Sequence, residues 1–216
     1  MKSIDIDTWQ RREHFTFFQA SMNPCLCITA HVDVSKIIHF RKEQGEQRHR
    51  FTDCMYYAIM KSANTIPEFR MRIVDRRPVE FENVDTAFTY VPKSSQLHSN
   101  CVAKYSDDFP IFIENIQNSR NAADEYPTLS PDGGESQALI YMSCLQDVSF
   151  TSFNNPWGDP WVDSVPRVVF GKVDQDTKKM PVSIEALHSF IDGMHVTLFL
   201  RCFEEIVNDP SLYYAG

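Results

Sequence analysis

The residues of this chain best suited to chemistry stand together in Leu187-His188-Ser189-Phe190-Ile191-Asp192-Gly193-Met194-His195-Val196. His188 and Asp192 are four residues apart, and a glycine comes directly after the acid. An imidazole near its ordinary pKa of about 6.5 keeps a large neutral fraction at neutral pH, so His188 can act as a general base. Asp192 can cap a helix, and Gly193 can ease the turn into it. The same residues also admit a plainer use, a hydrogen-bonded histidine at a strand end and an acid that only caps. A second candidate lies upstream. The run 138–145, Ala-Leu-Ile-Tyr-Met-Ser-Cys-Leu, is almost continuously apolar, as expected of a strand buried on both faces. Ser143 stands near its end, where a serine can fill space, bond to main chain or donate to an oxyanion.

Strands and helices must hold these groups in place. Val182, Ile184, Ala186 and His188 share one parity and Ser183, Glu185 and Leu187 the other, the period of a strand with His188 on its more apolar side. Val196, Phe199, Leu200, Phe203 and Val207 recur at helical spacing. His188 is thus predicted at a strand-to-helix junction, where α/β folds tend to place chemistry. Residues 166–173 and 180–187 pair naturally as a hairpin that delivers it.

Nearer the N-terminus, residues 9–21 read as a helix with Pro24 after it, and taken locally Arg11 and Arg12 are solvated charges. A strand over 25–34 comes next, with Ser35 placed to cap the segment beyond it. The charged stretch 36–50 breaks near Gly45, and a better helix over 51–66 is stopped by Pro67. Residues 69–81 read as a hairpin turning at 75–78, then come strands at 88–91 and 101–103. Asp107, Asp108 and Pro110 open a helix that carries Phe109, Phe112, Ile113 and Ile116. The stretch 128–137 is a loop, and 154–161 is irregular, with Trp157 and Trp161 either walling a pocket or packing elsewhere. With no repeat and no long linker, the economical reading is one α/β domain over 1–216.

Composition narrows the function classes. Hydrophobic residues make up 43% of the chain, enough for a full core. A net charge of −8 argues against nucleic acid as the main partner, since phosphate binding needs concentrated basic surface. No apolar run approaches a membrane span, and Met1 to Asp7 lacks a signal-peptide core, so a cytoplasmic protein is expected. The 6 cysteines are scattered, and Cys25 and Cys27 have no second pair at zinc-site spacing, so no metal is expected. There is no Gly-x-Ser-x-Gly elbow and no phosphate loop.

Three motifs in order resemble the chloramphenicol acetyltransferase family, in its trimeric, non-hexapeptide-repeat branch. They are Trp9-Gln10-Arg11-Arg12-Glu13-His14-Phe15, then Ser143 with Phe150-Thr151-Ser152-Phe153-Asn154 after it, then His188 through Val196. The resemblance implies a two-layer sandwich in which a mixed β-sheet is flanked by helices. It also implies a homotrimer whose sites lie between subunits, the base of one facing an acceptor pocket formed largely by the next. The implied reaction is acetyl transfer from acetyl-CoA to a hydroxyl of chloramphenicol by direct attack. His188 would be the base and Ser143 the oxyanion donor, worth about 2.7 to 4 kcal/mol when well placed. Asp192 and Arg11 would form a buried ion pair, and His195 would be structural. Phe17, Phe18, Phe153 and Val169 fall at acceptor-pocket positions, and Lys172 at a basic position near the CoA phosphates. The chain departs from the pattern at Leu187, where a second histidine is usual, and at Cys144-Leu145-Gln146-Asp147, where Ala-Leu-Pro-Trp is usual. Asn155 and Trp157 replace smaller apolar residues, Val169 a threonine of some members, and Val173 a tyrosine. Two other readings remain: a same-fold acyltransferase for another small alcohol, and a non-catalytic trimeric binding protein.

Overall fold

The computed structural model describes residues 1–214; Ala215 and Gly216, the end of the expected 1–216 domain, lie outside the described residues. In chain order the elements are β1 (Lys2–Ser3), α1 (Arg12–Gln19), β2 (Cys25–Asp33), α2 (Ser35–Glu43), α3 (Phe51–Thr65), β3 (Met71–Val74), β4 (Arg77–Glu80), β5 (Asp85–Tyr90), β6 (Ser99–Ala103), α4 (Phe109–Glu125), β7 (Leu139–Cys144), β8 (Arg167–Phe170), β9 (Lys179–Leu187), α5 (Gly193–Asn208) and α6 (Pro210–Tyr213). Short 3-10 turns at Gly45–Gln47 and Pro67–Arg70 lead from α2 into α3 and from α3 into β3.

Six strands form the main sheet in the order β2-β9-β8-β7-β5-β6. β7 runs parallel to both β5 and β8, and the remaining pairs are antiparallel, so the sheet is mixed. β1, β4 and β3 make a small separate sheet. Helices cover one face of the main sheet, where Met142, Val168, Phe170 and Ile184 join Met55, Ile59, Phe199 and Phe203 in one apolar core. The other face carries Thr89, Ser143, Arg167 and Val169 and meets loop segments instead. The loop after β7 is brought close by Gly171: a Cβ there would stand 2.6 Å from the Val148 carbonyl oxygen and 2.8 Å from the Phe150 ring. No helix among the described residues is long and apolar enough to cross a membrane.

Several local expectations need correction. The helix predicted over 9–21 is only Arg12–Gln19, because Trp9 packs on Phe15 and Phe190 at centroid distances of 5.7 and 6.1 Å and holds the preceding segment in turns. Asp33, not Ser35, serves the start of α2: its carboxylate accepts the Ser35 N–H at 2.8 Å. The β3–β4 hairpin turns through two residues, Asp75 and Arg76, with φ of 51° and 60°, a twist that matches the flanking strands. Arg77 and Pro78, expected in the turn, therefore lie in β4.

The interior also holds charges that apolar periodicity does not reveal. Arg72 is fully buried and donates to the carbonyls of Gln137, Phe69, Met71 and Leu139, tying the small sheet to the start of β7. Burial without a facing carboxylate pulls its guanidinium down to about 9. Arg120 of α4 makes a two-pronged pair with Asp53 of α3, with side-chain exposures of only 4% and 6%. Burial alone lowers the pKa of Arg120, but the hydrogen bond and charge of Asp53 outweigh it and raise it. Removing one partner strands a buried charge, so Arg120→Met is expected to cost about 3 to 5 kcal/mol in urea unfolding. Asp53→Leu with Arg120→Met should recover most of that loss.

Candidate active site

β9 is buried along nearly its whole length and delivers His188 directly after its last residue. The His188 N–H donates to the Pro24 carbonyl at 2.7 Å, so the entry to β2 fixes the start of the turn. Its ring lies flat on Phe18, with centroids 3.8 Å apart and planes 11° from parallel. Nδ1 is buried and has no hydrogen-bond partner among the described residues. The residue as a whole is half-buried, at the end of the strand rather than in the apolar layer that its parity predicted.

Arg11 grips this turn at three points. Nη2 donates to the His188 carbonyl at 3.1 Å, Nε to the Ser189 carbonyl at 2.9 Å, and Nη1 to Asp192 Oδ2 at 2.9 Å. The planar guanidinium fork suits such a contact, whereas an ammonium offers a single point charge. Arg11 and Asp192 side chains are 13% and 29% exposed, so the pair is partly buried rather than fully so. Asp192 also caps α5, its Oδ1 accepting the Met194 N–H at 3.0 Å while its own N–H donates to His195 Nδ1 at 3.1 Å. Nε2 of His195 lies 3.5 Å from Glu68, which fastens the cap to the turn after α3. Burial raises the Asp192 carboxyl, but the Arg11 hydrogen bond and charge and the Met194 N–H together hold it below its usual value.

Ser143 lies elsewhere. It sits on β7 with Oγ 3.1 Å from Thr89 Oγ1 and opens into a cavity of about 470 Å³. Val169 pairs with it across β7 and β8, and both line that cavity. Lys172 is exposed, three residues beyond Val169, at the same end of the sheet. The ladders put Ser143 opposite Val169 and Val169 opposite Ser183, five residues before His188. Two strand spacings of about 4.8 Å and five residues at about 3.3 Å each separate Ser143 from His188 by roughly 19 Å within one chain. The chain thus brings together Arg11, Phe18, His188 and Asp192, and separately Ser143 and Val169, but not the two sets.

The remaining expected pocket residues spread between these poles. Phe17 is 69% exposed and meets Phe18 edge-on at 5.2 Å. Phe153 packs on Phe150, and its carbonyl accepts from Ser183 Oγ at 3.2 Å, seating its loop on β9. Trp161 packs edge-on against Phe15, whereas Trp157 lines a second cavity with Cys25, Cys27 and Glu185. Apolar periodicity does not single out Arg167 and Glu185, neighbours across β8 and β9 and both buried. The signal was available, since each is a charged residue inside an otherwise apolar strand. Burial pushes the Cys25 and Cys144 thiols up to about 12, so neither is a thiolate nucleophile at neutral pH. Among the described residues no group of three or more His, Cys, Asp or Glu could hold a metal ion.

Comparison with known proteins matches this arrangement to one family over most of its length. The family model described as chloramphenicol acetyltransferase matches residues 1–204. Chloramphenicol acetyltransferase 3 of Escherichia coli is 27% identical over 208 residues, covering 95% of this chain and 96% of that protein. Chloramphenicol acetyltransferase 2 of the same organism is 28% identical over 204 residues, covering 93% and 94%. Among solved structures, a chloramphenicol acetyltransferase superposes with a TM-score of 0.86 at 28% identity, covering 96% of this chain and 100% of that one. The dihydrolipoamide acetyltransferase of Azotobacter vinelandii shares the fold, with a TM-score of 0.70 at 14% identity over 94% and 88% of the two chains.

The Arg11 contacts set a stability test. Because the folded pKa of Asp192 is depressed, its contribution is present above the unfolded value of about 3.9 and lost as pH falls through the folded one. Arg11→Met is expected to destabilise by about 1 to 3 kcal/mol, less than for a fully buried pair. In urea unfolding the difference from the unsubstituted chain should be steady from about pH 5 to 7 and narrow below about pH 4.

Proposed function

The chain belongs to the chloramphenicol acetyltransferase family, and from that membership we propose that it transfers acetyl from acetyl-CoA to a hydroxyl of chloramphenicol. The observation that carries this reading is the three-point hold of Arg11 on the His188 turn, which is more than a helix cap requires. In the proposed reaction His188 takes the proton from the acceptor hydroxyl as its oxygen attacks the thioester carbonyl. The tetrahedral oxyanion accepts a hydrogen bond from Ser143 Oγ–H. Collapse breaks the carbon–sulfur bond, and the departing thiolate takes the proton back from His188. Asp192 and Arg11 move no proton; they keep the imidazole turn in place.

His188 and Ser143 of one chain are too far apart to touch one carbonyl, which supports a site built from two copies. A closed homotrimer repeats that junction three times, placing the His188 end of one copy on the Ser143 cavity of the next. The exposed Phe17 at the His188 end is an apolar surface suited to such a junction. Lys172, at the Ser143 end, is the residue proposed to meet the CoA phosphates. A second reading, the same chemistry on a different small alcohol, is favoured by the departures from the family pattern at Leu187, Asn155 and Trp157.

Purified protein mixed with acetyl-CoA and chloramphenicol should release free thiol. His188→Ala should lower kcat by about 10²- to 10⁴-fold. Ser143→Ala should lower it by about 10²- to 10³-fold. Release with another alcohol but not with chloramphenicol would move the assignment to the second reading. Acetyl-CoA binding with no release on any alcohol would contradict both and leave a binding protein.

A further inference from the structure

The cavity at Ser143 contains a cation that nothing in the proposed chemistry uses. Arg167, only 9% exposed, lines it together with Ser143, Thr89, Tyr141, Asn155 and Val169. Its guanidinium carbon lies 3.8 Å over the Trp157 ring and 5.7 Å from the Tyr141 ring centroid, so the group is stacked on one aromatic face and within cation–π reach of another. Nη2 donates to Asp163 Oδ2 at 2.5 Å. Nη1 is buried and has no acceptor among the described residues, and the indole N–H of Trp157 is likewise buried without one. An unpartnered buried donor on a residue that lines the cavity calls for an acceptor oxygen, because leaving such a donor unpaired is costly.

The charge of that oxygen is set by the neighbours. Asp163 is bonded to Arg167, and Glu185 lies directly across from it on β9, 3% exposed. The Glu185 carboxylate accepts the Asn155 main-chain N–H at 2.9 and 3.0 Å and its side-chain amide as well. One guanidinium therefore sits among two carboxylates, bonded to Asp163 and cross-strand from Glu185, and an anionic ligand would add a third negative charge to a partly buried cluster. A carbonyl, amide or nitro oxygen uses the free N–H without that repulsion.

We propose that Arg167 is a specificity-determining residue of the acceptor cavity, holding a neutral hydrogen-bond-accepting oxygen of the alcohol through Nη1. The inference rests on the Ser143 cavity being the acceptor site, as in the proposed function. It assigns the substrate class as small alcohols that carry an uncharged carbonyl, amide or nitro oxygen away from the reacting hydroxyl. Alcohols that are wholly apolar there, or anionic, should bind poorly.

A binding cycle tests it without needing turnover. Calorimetry would compare chloramphenicol with analogues lacking the nitro group, lacking the amide carbonyl oxygen, or carrying a carboxylate in place of nitro. Deleting one of the two oxygens should weaken binding to the unsubstituted protein by about 10- to 100-fold and leave binding to Arg167→Met nearly unchanged. The carboxylate analogue should bind the unsubstituted protein more weakly than chloramphenicol. Arg167→Lys keeps a cation and removes the planar fork, so it serves should Arg167→Met fail to fold; deleting either oxygen should then cost less than it does in the unsubstituted protein. Binding and thiol release with no coupling of either oxygen to Arg167, or tighter binding of the carboxylate, overturns this inference alone. Coupled binding with no thiol release overturns only the acetyl-transfer reading. Absence of binding across the series overturns the inference together with the chloramphenicol assignment.

Discussion

The contact on which the site depends most is that of Arg11 with the turn from His188 to Asp192. One side chain bonds two consecutive main-chain carbonyls and a carboxylate, and so fixes backbone and side chain of the turn together. Charge-assisted hydrogen bonds to a planar fork are directional, which makes Arg11 a better holder of geometry than of net stability. Asp192 passes the constraint on by capping α5, and His195 passes it to Glu68 beyond α3. The imidazole at the centre is thereby held by α1, the exit of β9 and the start of α5. Phe18, from the same helix that Arg11 precedes, adds the stacked face.

The sheet explains why such a holder is needed and why it does not complete a site. Its helix-covered face is apolar and forms the core, while its other face bears Ser143, Thr89, Arg167 and Glu185 under loops. β9 carries His188 past the end of the sheet, and β7 leaves Ser143 two strands away and well back along the ladder. A direct transfer that uses both groups must bridge that offset, and a neighbouring copy of the chain is the simplest means. On this account the open face is the working surface of an assembly, and the polar groups on it are held ready by aromatic stacking and short hydrogen bonds.

Legibility in the sequence divides along a physical line. Residues whose roles are set by local backbone, such as the capping Asp192 and the strand-end His188, could be read from spacing alone. The partnership of Arg11 with Asp192 spans the length of the chain, and local pattern made Arg11 a surface charge; only the family resemblance joined the two. Arg120 with Asp53, and the Arg72 carbonyl cage, were invisible for the same reason, since periodicity records apolar faces and not the partners that let a charge be buried. The two-residue turn at Asp75-Arg76 was missed because neither residue is glycine, although both adopt positive φ. Arg167 and Glu185 break the apolar pattern of their strands, and a charge in such a place is itself a signal of a built polar site.

The proposed pairing of His188 from one copy with Ser143 from another can be read out in mixed assemblies. Chains carrying His188→Ala and chains carrying Ser143→Ala, each keeping at most about 1% of the activity alone, would be unfolded and refolded together in equal amounts, and thiol release measured against the unsubstituted protein. If each site in a closed ring draws one group from each of two neighbours, about a quarter of the sites regain both groups and activity returns to about that fraction. Activity no higher than that of the separate variants, in a mixture shown to contain mixed assemblies, would mean that the two groups do not meet across copies.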